Sequence, residues 1–290
     1  MKVYGNFING KFIKPLSKKY LQVINPYTEK VIAKVPDSDK KDVDLAVNVA
    51  RKAFDSGIWS EMTLGERSSY LFKLADLIEK NLSKIAKLES INQGKTIKMA
   101  RDSDLPFAID NLRFFAGASR SLKDATPQEY IDYHEKTHHK PLGTSMIKRE
   151  PIGVVASITP WNYPFMMAIW KIGPALAMGN TVVIKPASTT PLTTLELALL
   201  AKKAGIPNGV LNVITGTGNV VGSYLAEHEK IDMVSLTGNT KTGKVRMSIL
   251  ISSRSATAPP SWENVNYTAC LVLKILRIRC LRSPLTQALI

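Results

Sequence analysis

Residues 151–190 read PIGVVASITPWNYPFMMAIWKIGPALAMGNTVVIKPASTT, and this stretch decides the fold. Ile152 to Ile158 is an apolar run, the pattern of a strand covered on both faces as in a parallel sheet. Pro160 and Pro164 suit a turn and a first helical turn. Apolar residues then recur at helical spacing as far as Met178, among them Met166, Ile169, Ile172 and Leu176. Gly179-Asn180 ends that helix. Thr181 to Ile184 is a second short β-branched run, stopped by Lys185-Pro186. Strand, helix, strand predicts a parallel pair with a right-handed crossover. Ligands of doubly wound sheets bind at the carboxyl ends of the strands, so Asn162 and Lys185 are expected on one working edge.

Downstream the alternation continues. Leu195, Ala198, Leu199 and Ala201 predict a helix that stops at Gly205-Ile206-Pro207, and Val210 to Ile214 predicts a strand. The segment after it, Thr215-Gly216-Thr217-Gly218-Asn219-Val220-Val221-Gly222, lets a backbone approach a helix start whose free N–H groups favour phosphate. Its spacing departs from the standard dinucleotide fingerprint, because one extra residue precedes the last glycine. Met233 to Leu236 is a further strand, followed by Thr237-Gly238-Asn239-Thr240-Lys241-Thr242-Gly243. Gly238-x-x-x-x-Gly243-Lys244 comes near a phosphate-binding loop of nucleotide hydrolases. That loop needs a hydroxyl at the next position to hold Mg2+, and Val245 has none.

Upstream, Phe7-Ile8-Asn9-Gly10-Lys11-Phe12 carries the strongest short hairpin signal. Strands are expected at Val23 to Asn25 and Glu29 to Val35. A helix begins near Ser38 or Asp39 and carries Val43, Ala46, Val47, Ala50 and Phe54 on one face. Thr63-x-x-Glu66 predicts a capping box opening a helix from Arg67 to Asn81. A third helix runs through Leu88 to Gly94-Lys95, and a fourth from Ile97 to about Ala118. Ala125 to Arg149 is polar, with the alternation Ser145-Met146-Ile147-Lys148, and reads as an exposed hairpin seeking a partner sheet. Within it His134-Glu135-Lys136-Thr137-His138 fits H-E-x-x-H, a zinc pattern when it sits on a helix. Pro127 and Pro141 bracket the motif and no apolar periodicity embeds it, so solvated histidines are the preferred reading and no metal is expected.

The whole chain has 290 residues, 44% of them apolar, enough for a sizeable core. No apolar run reaches membrane-spanning length and Met1 to Lys19 lacks the core of a signal peptide, so a cytoplasmic protein with no membrane partner is expected. The two cysteines, Cys270 and Cys280, argue against a disulfide framework. A formal charge of +15 invites a nucleic-acid reading. The lysines are instead spread over helix faces and interleaved with acids, and no nucleic-acid-binding signature is present, so no such partner is expected.

Pro160-Trp161-Asn162-Tyr163-Pro164, GPALAMGN and Val183-Ile184-Lys185-Pro186 together resemble the aldehyde dehydrogenase superfamily. The resemblance implies an α/β fold in which a Rossmann-like parallel sheet, flanked by helices, binds NAD or NADP. It also implies oxidation of a small-molecule aldehyde to an acid, through a cysteine thiolate and a glutamate-activated water. Asn162 matches the position whose side-chain amide stabilises the oxyanion, although Asn is also a preferred helix cap. Lys171 matches a proposed proton relay, with a solvated helix lysine as the alternative. Ile158, Thr159, Pro160, Trp161, Lys185, Ser188, Gly218, Gly222, Leu236, Gly238, Asn239 and Thr242 match cofactor-binding positions. Ser188 stands where many members carry a ribose-binding glutamate, and a hydroxyl tolerates a 2′-phosphate that a carboxylate would repel. Tyr163 and Trp170 match aromatics that surround an ammonium group in aminoaldehyde and betaine aldehyde dehydrogenases, or else they pack in the core. Full-length members form homo-oligomers.

The resemblance divides the chain into residues 1–124, the N-terminal part of the cofactor domain; 125–150, an oligomerisation-type hairpin; 151–244, the Rossmann-like core; and 245–290, a tail outside the family pattern. In the family a general-base glutamate would fall near Ser261 and the nucleophilic cysteine beyond Ile290. Neither Cys270 nor Cys280 has the expected neighbours. Residues 245–290 hold six Arg and Lys against one acid, Glu263, unlike the balanced body. A shifted reading frame near Lys244, a C-terminally truncated catalytic half and a disordered tail, or one with a short apolar element at Cys270 to Leu281, are the expectations. Two functions remain open: an aldehyde dehydrogenase by descent that is inactive alone, or a non-catalytic nucleotide-binding or interaction remnant.

Overall fold

The computed structural model describes residues 1–121, 125–131, 141–238 and 276–281. The chain opens with β1 (Lys2–Val3), β2 (Asn6–Ile8), β3 (Lys11–Ile13), β4 (Tyr20–Ile24) and β5 (Val31–Pro36). Asn9 and Gly10 turn the β2–β3 hairpin with φ of 53° and 73°, the double left-handed geometry for which Asn-Gly is chosen. Helix α1 (Lys40–Asp55) follows, then α2 (Leu64–Lys80) and α3 (Leu82–Gln93). Asp39 forms a capping box with Asp42, and Thr63 forms one with Glu66, as the spacing predicts for the second. Gly94 closes α3 with φ 92°.

The fourth expected helix has three parts: α4 (Ile97–Met99), a π-helical segment over Ala100–Asp104, and α5 (Leu105–Arg120). Helical periodicity located its ends but could not reveal the wider turn in its middle. The expected hairpin is an antiparallel pair of β6 (Ala125–Ile131) and β7 (Pro141–Pro151). The H-E-x-x-H motif lies outside the described residues.

The central unit is β8 (Val154–Ile158), α6 (Pro164–Ala177) and β9 (Thr181–Lys185). The strand starts two residues later than the apolar run, because Gly153 takes φ 134°, and an added Cβ there would lie 1.9 Å from Asp232 Oδ2. Then come α7 (Leu192–Ala204), β10 (Leu211–Val213), a π-helical segment at Gly218–Gly222 leading into α8 (Ser223–Glu227), and β11 (Met233–Leu236). Beyond these, β12 (Leu276–Leu281) pairs antiparallel with β7, so of the two expectations for the tail the short apolar element within Cys270 to Leu281 is the one these residues match, and it has a partner strand.

The six strands of the main sheet run in the order β11-β8-β9-β10-β2-β3, and the first four are parallel. The β2–β3 hairpin adds on antiparallel at the β10 edge. Side chains alternate across the sheet. Val154, Ala156 and Val183 pack with Val43, Val47 and Ala50 of α1 and Leu225 of α8. Val155, Val182, Ile184 and Val213 face the other layer, built from α2, α5, α6 and α7. Strands covered on both sides have no polar face, which is why residues 154–158 and 181–185 read as near-continuous apolar runs. Among the described residues no helix is long and apolar enough to cross a membrane.

Candidate functional site

The parallel register aligns Leu236, Ile158 and Lys185 in one row at the carboxyl edge of the sheet. Two loops leave from that row, 159–163 toward α6 and 186–191 toward α7. The Thr159 N–H donates to the Lys185 carbonyl at 3.1 Å and the Thr237 N–H to the Ile158 carbonyl at 3.1 Å, so the edge stays paired past the last strand residues.

Lys185 is 3% exposed. Its ammonium donates to the Pro186 carbonyl at 3.0 Å, which uses one of three N–H groups. Burial lowers its pKa to about 8. Gly222, at the end of the π segment, lies against it: a Cβ there would sit 3.7 Å from Lys185 Cδ and 3.9 Å from Ile158 Cδ1. Gly218 begins the same segment with open space where a Cβ would point. Thr159 Oγ1 is buried and has no hydrogen-bond partner among the described residues. Among the described residues, a buried cation with N–H groups to spare, a buried unpartnered hydroxyl and a glycine without a side chain therefore share one edge. That set fits a ligand carrying hydroxyl and phosphate oxygens. Ser188 is half-buried in the 186–191 loop. Gly222→Ala should leave stability within about 0.5 kcal/mol, since its Cβ meets only ordinary contacts. It should weaken binding of a ligand of that kind roughly tenfold by taking the space a glycine leaves, which calorimetry would read.

The other loop presents Trp161, 60% exposed, and Asn162, also exposed. Pro160 is half-buried. Tyr163 occupies the cap position of α6 and makes no side-chain cap, so Asn162 is not the cap residue of this helix. Next to the loop is an open cleft of about 520 Å3 whose lining includes Met99, Asp104, Phe107, Asp110, Tyr163 and Met166. Trp170 does not line that cleft. Its ring packs on Phe107, centroids 5.8 Å apart, so Phe107 links it to the cleft. Lys171 is buried and donates to Ser235 Oγ at 3.0 Å, which corrects the alternative of a solvated helix lysine. Gly238 is exposed at the end of β11. Asn239 and Thr242 lie outside the described residues.

Sequence reasoning missed the residues that hold the two loops. Glu89 and Asn92 on α3 are buried. Glu89 accepts from the Phe165 N–H at 3.2 Å and from Thr193 Oγ1 at 2.6 Å; Asn92 accepts from the Leu192 N–H at 3.0 Å and donates to the Thr189 carbonyl. One helix thus satisfies free N–H groups at the starts of both α6 and α7. Desolvation raises the Glu89 pKa, against those hydrogen bonds and Lys95. The signal available was weak: polar residues three apart on an otherwise ordinary helix.

The sequence profile of the aldehyde dehydrogenase family matches residues 12–257. This chain belongs to the aldehyde dehydrogenase family. The match runs past the Lys244 boundary drawn from motifs alone. The chain is 43% identical over 247 residues to "Aldehyde dehydrogenase 1" of Tanacetum cinerariifolium, covering 85% of this chain and 48% of that one. It is 40% identical to the NAD+ complex of an aldehyde dehydrogenase from Bacillus cereus, at a TM-score of 0.78, with 86% of this chain and 49% of that one covered. A betaine aldehyde dehydrogenase from Staphylococcus aureus in complex with NAD+ is 35% identical at a TM-score of 0.79, with 86% and 48% covered. The chain spans about half the length of the curated relatives it matches. The α/β arrangement, a parallel sheet between helical layers, is that of the aldehyde dehydrogenase fold over this part.

Proposed function

We propose that this chain is the dinucleotide-binding part of an NAD(P)+-dependent aldehyde dehydrogenase. The observation that carries the reading is the row Leu236, Ile158 and Lys185 with Gly222 packed over it, which sets a buried ammonium beside a position without a side chain. Bound there, the nicotinamide would supply the hydride acceptor for aldehyde oxidation. Lys185 would donate to ribose hydroxyls, and Gly222, which carries no side chain, would let a phosphate group approach the start of α8. Ile158, Thr159, Pro160, Trp161, Leu236, Gly238, Asn239 and Thr242 complete the proposed contacts. Ser188 lets the site accept NADP+ as well as NAD+. Asn162 would place an amide donor on the aldehyde oxygen, where negative charge develops in the transition state. Lys171, joined to Ser235, is the proposed proton carrier. The cleft beside Asn162, with the Phe107 and Tyr163 rings and Asp110 in its lining, suits an aldehyde that carries a cationic group; Tyr163 is the proposed aromatic in contact with it, and Trp170, the other, acts from behind Phe107.

Turnover also needs a positioned thiolate and a base. The two cysteines, Cys270 and Cys280, lie outside the family match. The 290 residues are therefore expected to bind dinucleotide without oxidising aldehyde. Calorimetric titration with NAD+ and NADP+, followed by aldehyde addition at the reduced-nicotinamide absorbance band, tests both halves. Binding of both within roughly tenfold of each other and a flat absorbance trace are the expected results. A folded chain that binds neither nucleotide overturns the binding reading. A thiol-dependent absorbance rise overturns the claim of no turnover.

A further inference from the structure

We propose that Lys95 is a positioning residue that clamps the 159–163 loop and so holds Asn162 at the cleft, an inference that rests on the dinucleotide reading above. Lys95 lies between α3 and α4 and its side chain is 6% exposed. Its ammonium forms an ion pair with Asp104, donates to the main-chain carbonyl of Asn162 at 3.1 Å and stands 4.5 Å over the Tyr163 ring centroid. Glu89 Oε1 is 3.9 Å away, and the same oxygen receives the Phe165 N–H. The Lys95 backbone is pinned as well, its N–H to Gln93 Oε1 at 2.9 Å and its carbonyl to Ser90 Oγ at 2.7 Å. One cation thus joins the end of α3, the π segment that closes at Asp104, and the loop that carries Asn162.

Stability alone gives little reason for this arrangement. Buried ion pairs are often matched by apolar side chains of similar volume. An apolar side chain cannot donate to the Asn162 carbonyl, so that bond is what a lysine adds here. It matters because an oxyanion donor works only when its position is set beforehand. The Asn162 side chain is exposed. Its peptide group is fixed by Lys95 instead, from 67 residues away in sequence.

Hydrogen exchange in the unliganded chain tests the clamp. In Lys95→Met, amides of the 161–167 peptide should exchange about tenfold faster while the α2 core is unchanged, and Lys95→Arg should restore most of the protection. Because Lys95→Met strands the Asp104 carboxylate, the measurement is repeated on the Lys95→Met, Asp104→Asn pair, which removes the stranded charge. NAD+ and adenosine monophosphate affinities are then compared by calorimetry. NAD+, which spans both loops, should weaken roughly tenfold, and the monophosphate, confined to the Lys185 side, by less than about twofold. Unchanged exchange at 161–167, an equal rise throughout the protein, or equal weakening of both nucleotides overturns the proposal. Should the wild-type chain bind neither nucleotide, the dinucleotide reading falls, and the exchange result still decides the clamp.

Discussion

Lys185→Met is expected to make the protein more stable and to weaken the proposed dinucleotide binding. The lysine is 3% exposed and burial lowers its pKa from 10.5 to about 8. At about 1.4 kcal/mol per pKa unit, holding that charge in the interior at pH 7 costs roughly 3 kcal/mol. Methionine has similar length and no charge. Its gain is offset by the Pro186 carbonyl, which loses its donor, so a net stabilisation of roughly 1–2 kcal/mol is expected. Because the folded-state pKa lies below the unfolded one, the unfolded chain binds more protons between about pH 8 and 10.5. The wild-type protein should therefore gain stability as pH rises through that window, and the methionine variant should not. Urea midpoints at several pH values read this directly. Binding moves the other way. A charge-assisted hydrogen bond is worth about 1.5–3 kcal/mol, so NAD+ affinity should fall ten- to a hundredfold in the variant. In the wild-type protein it should weaken as pH rises through about 8 and the ammonium loses its charge. A variant that is no more stable would mean that the buried charge carries no such cost, and one that binds as well as the parent would mean that Lys185 meets no ligand.

Arg67→Met should be the most destabilising of these substitutions and leave the site intact. The guanidinium is 5% exposed. It donates to the Ala177 carbonyl at 3.0 Å, bonds the Met62 carbonyl, and reaches the Trp59 and Ser60 carbonyls at 3.4 Å. Trp59 Nε1 donates to the neighbouring Leu176 carbonyl at 3.0 Å. Together they tie residues 59–62 to the last turn of α6, where carbonyls lack helical partners and a positive charge meets the negative end of the helix dipole. Losing the donor strands several buried carbonyls at once. A loss of about 3–4 kcal/mol is expected, which for a chain of this size lowers Tm by about 5–7 °C. Arg113 is the control. It bonds Asp76 at 2.9 Å and Glu79 at 2.7 Å but is 36% exposed, so Arg113→Ala should cost under about 1 kcal/mol. The Arg67 staple grips the opposite end of α6 from Asn162. While the Arg67→Met variant is folded, its NAD+ affinity should stay within about twofold of the parent.

The elements themselves were legible because their determinants are local. Apolar spacing, Asp39 and Thr63 as caps, the Asn9-Gly10 turn, and Gly94 and Gly205 as stops act within one or two turns of chain. The alternation of strand and helix across 151–236 then allowed few topologies, and the carboxyl edge followed from it. The motif-bearing residues of that edge could be named for the same reason, since Lys185 is the last residue of a strand and Gly222 closes a glycine-rich segment.

Their environment could not be named. That Lys185 would be buried with free donors, that Lys171 would meet Ser235, and that Tyr163 and Trp170 would be separated by Phe107 depends on which layers close over them. The supports of the site are more distant still. Lys95 reaches Asn162 across 67 residues, Glu89 reaches Phe165 across 76, and Arg67 reaches Ala177 across 110. By itself the sequence determined the alternation of strands and helices across 151–236, the edge at which they present a ligand site, and the family whose motifs mark that edge. Only the tertiary structure decided which charges are buried, which loops are clamped and by what. Periodicity and capping record the preferences of neighbouring residues, whereas a buried ion pair or a stapled helix end exists only once packing brings distant segments together.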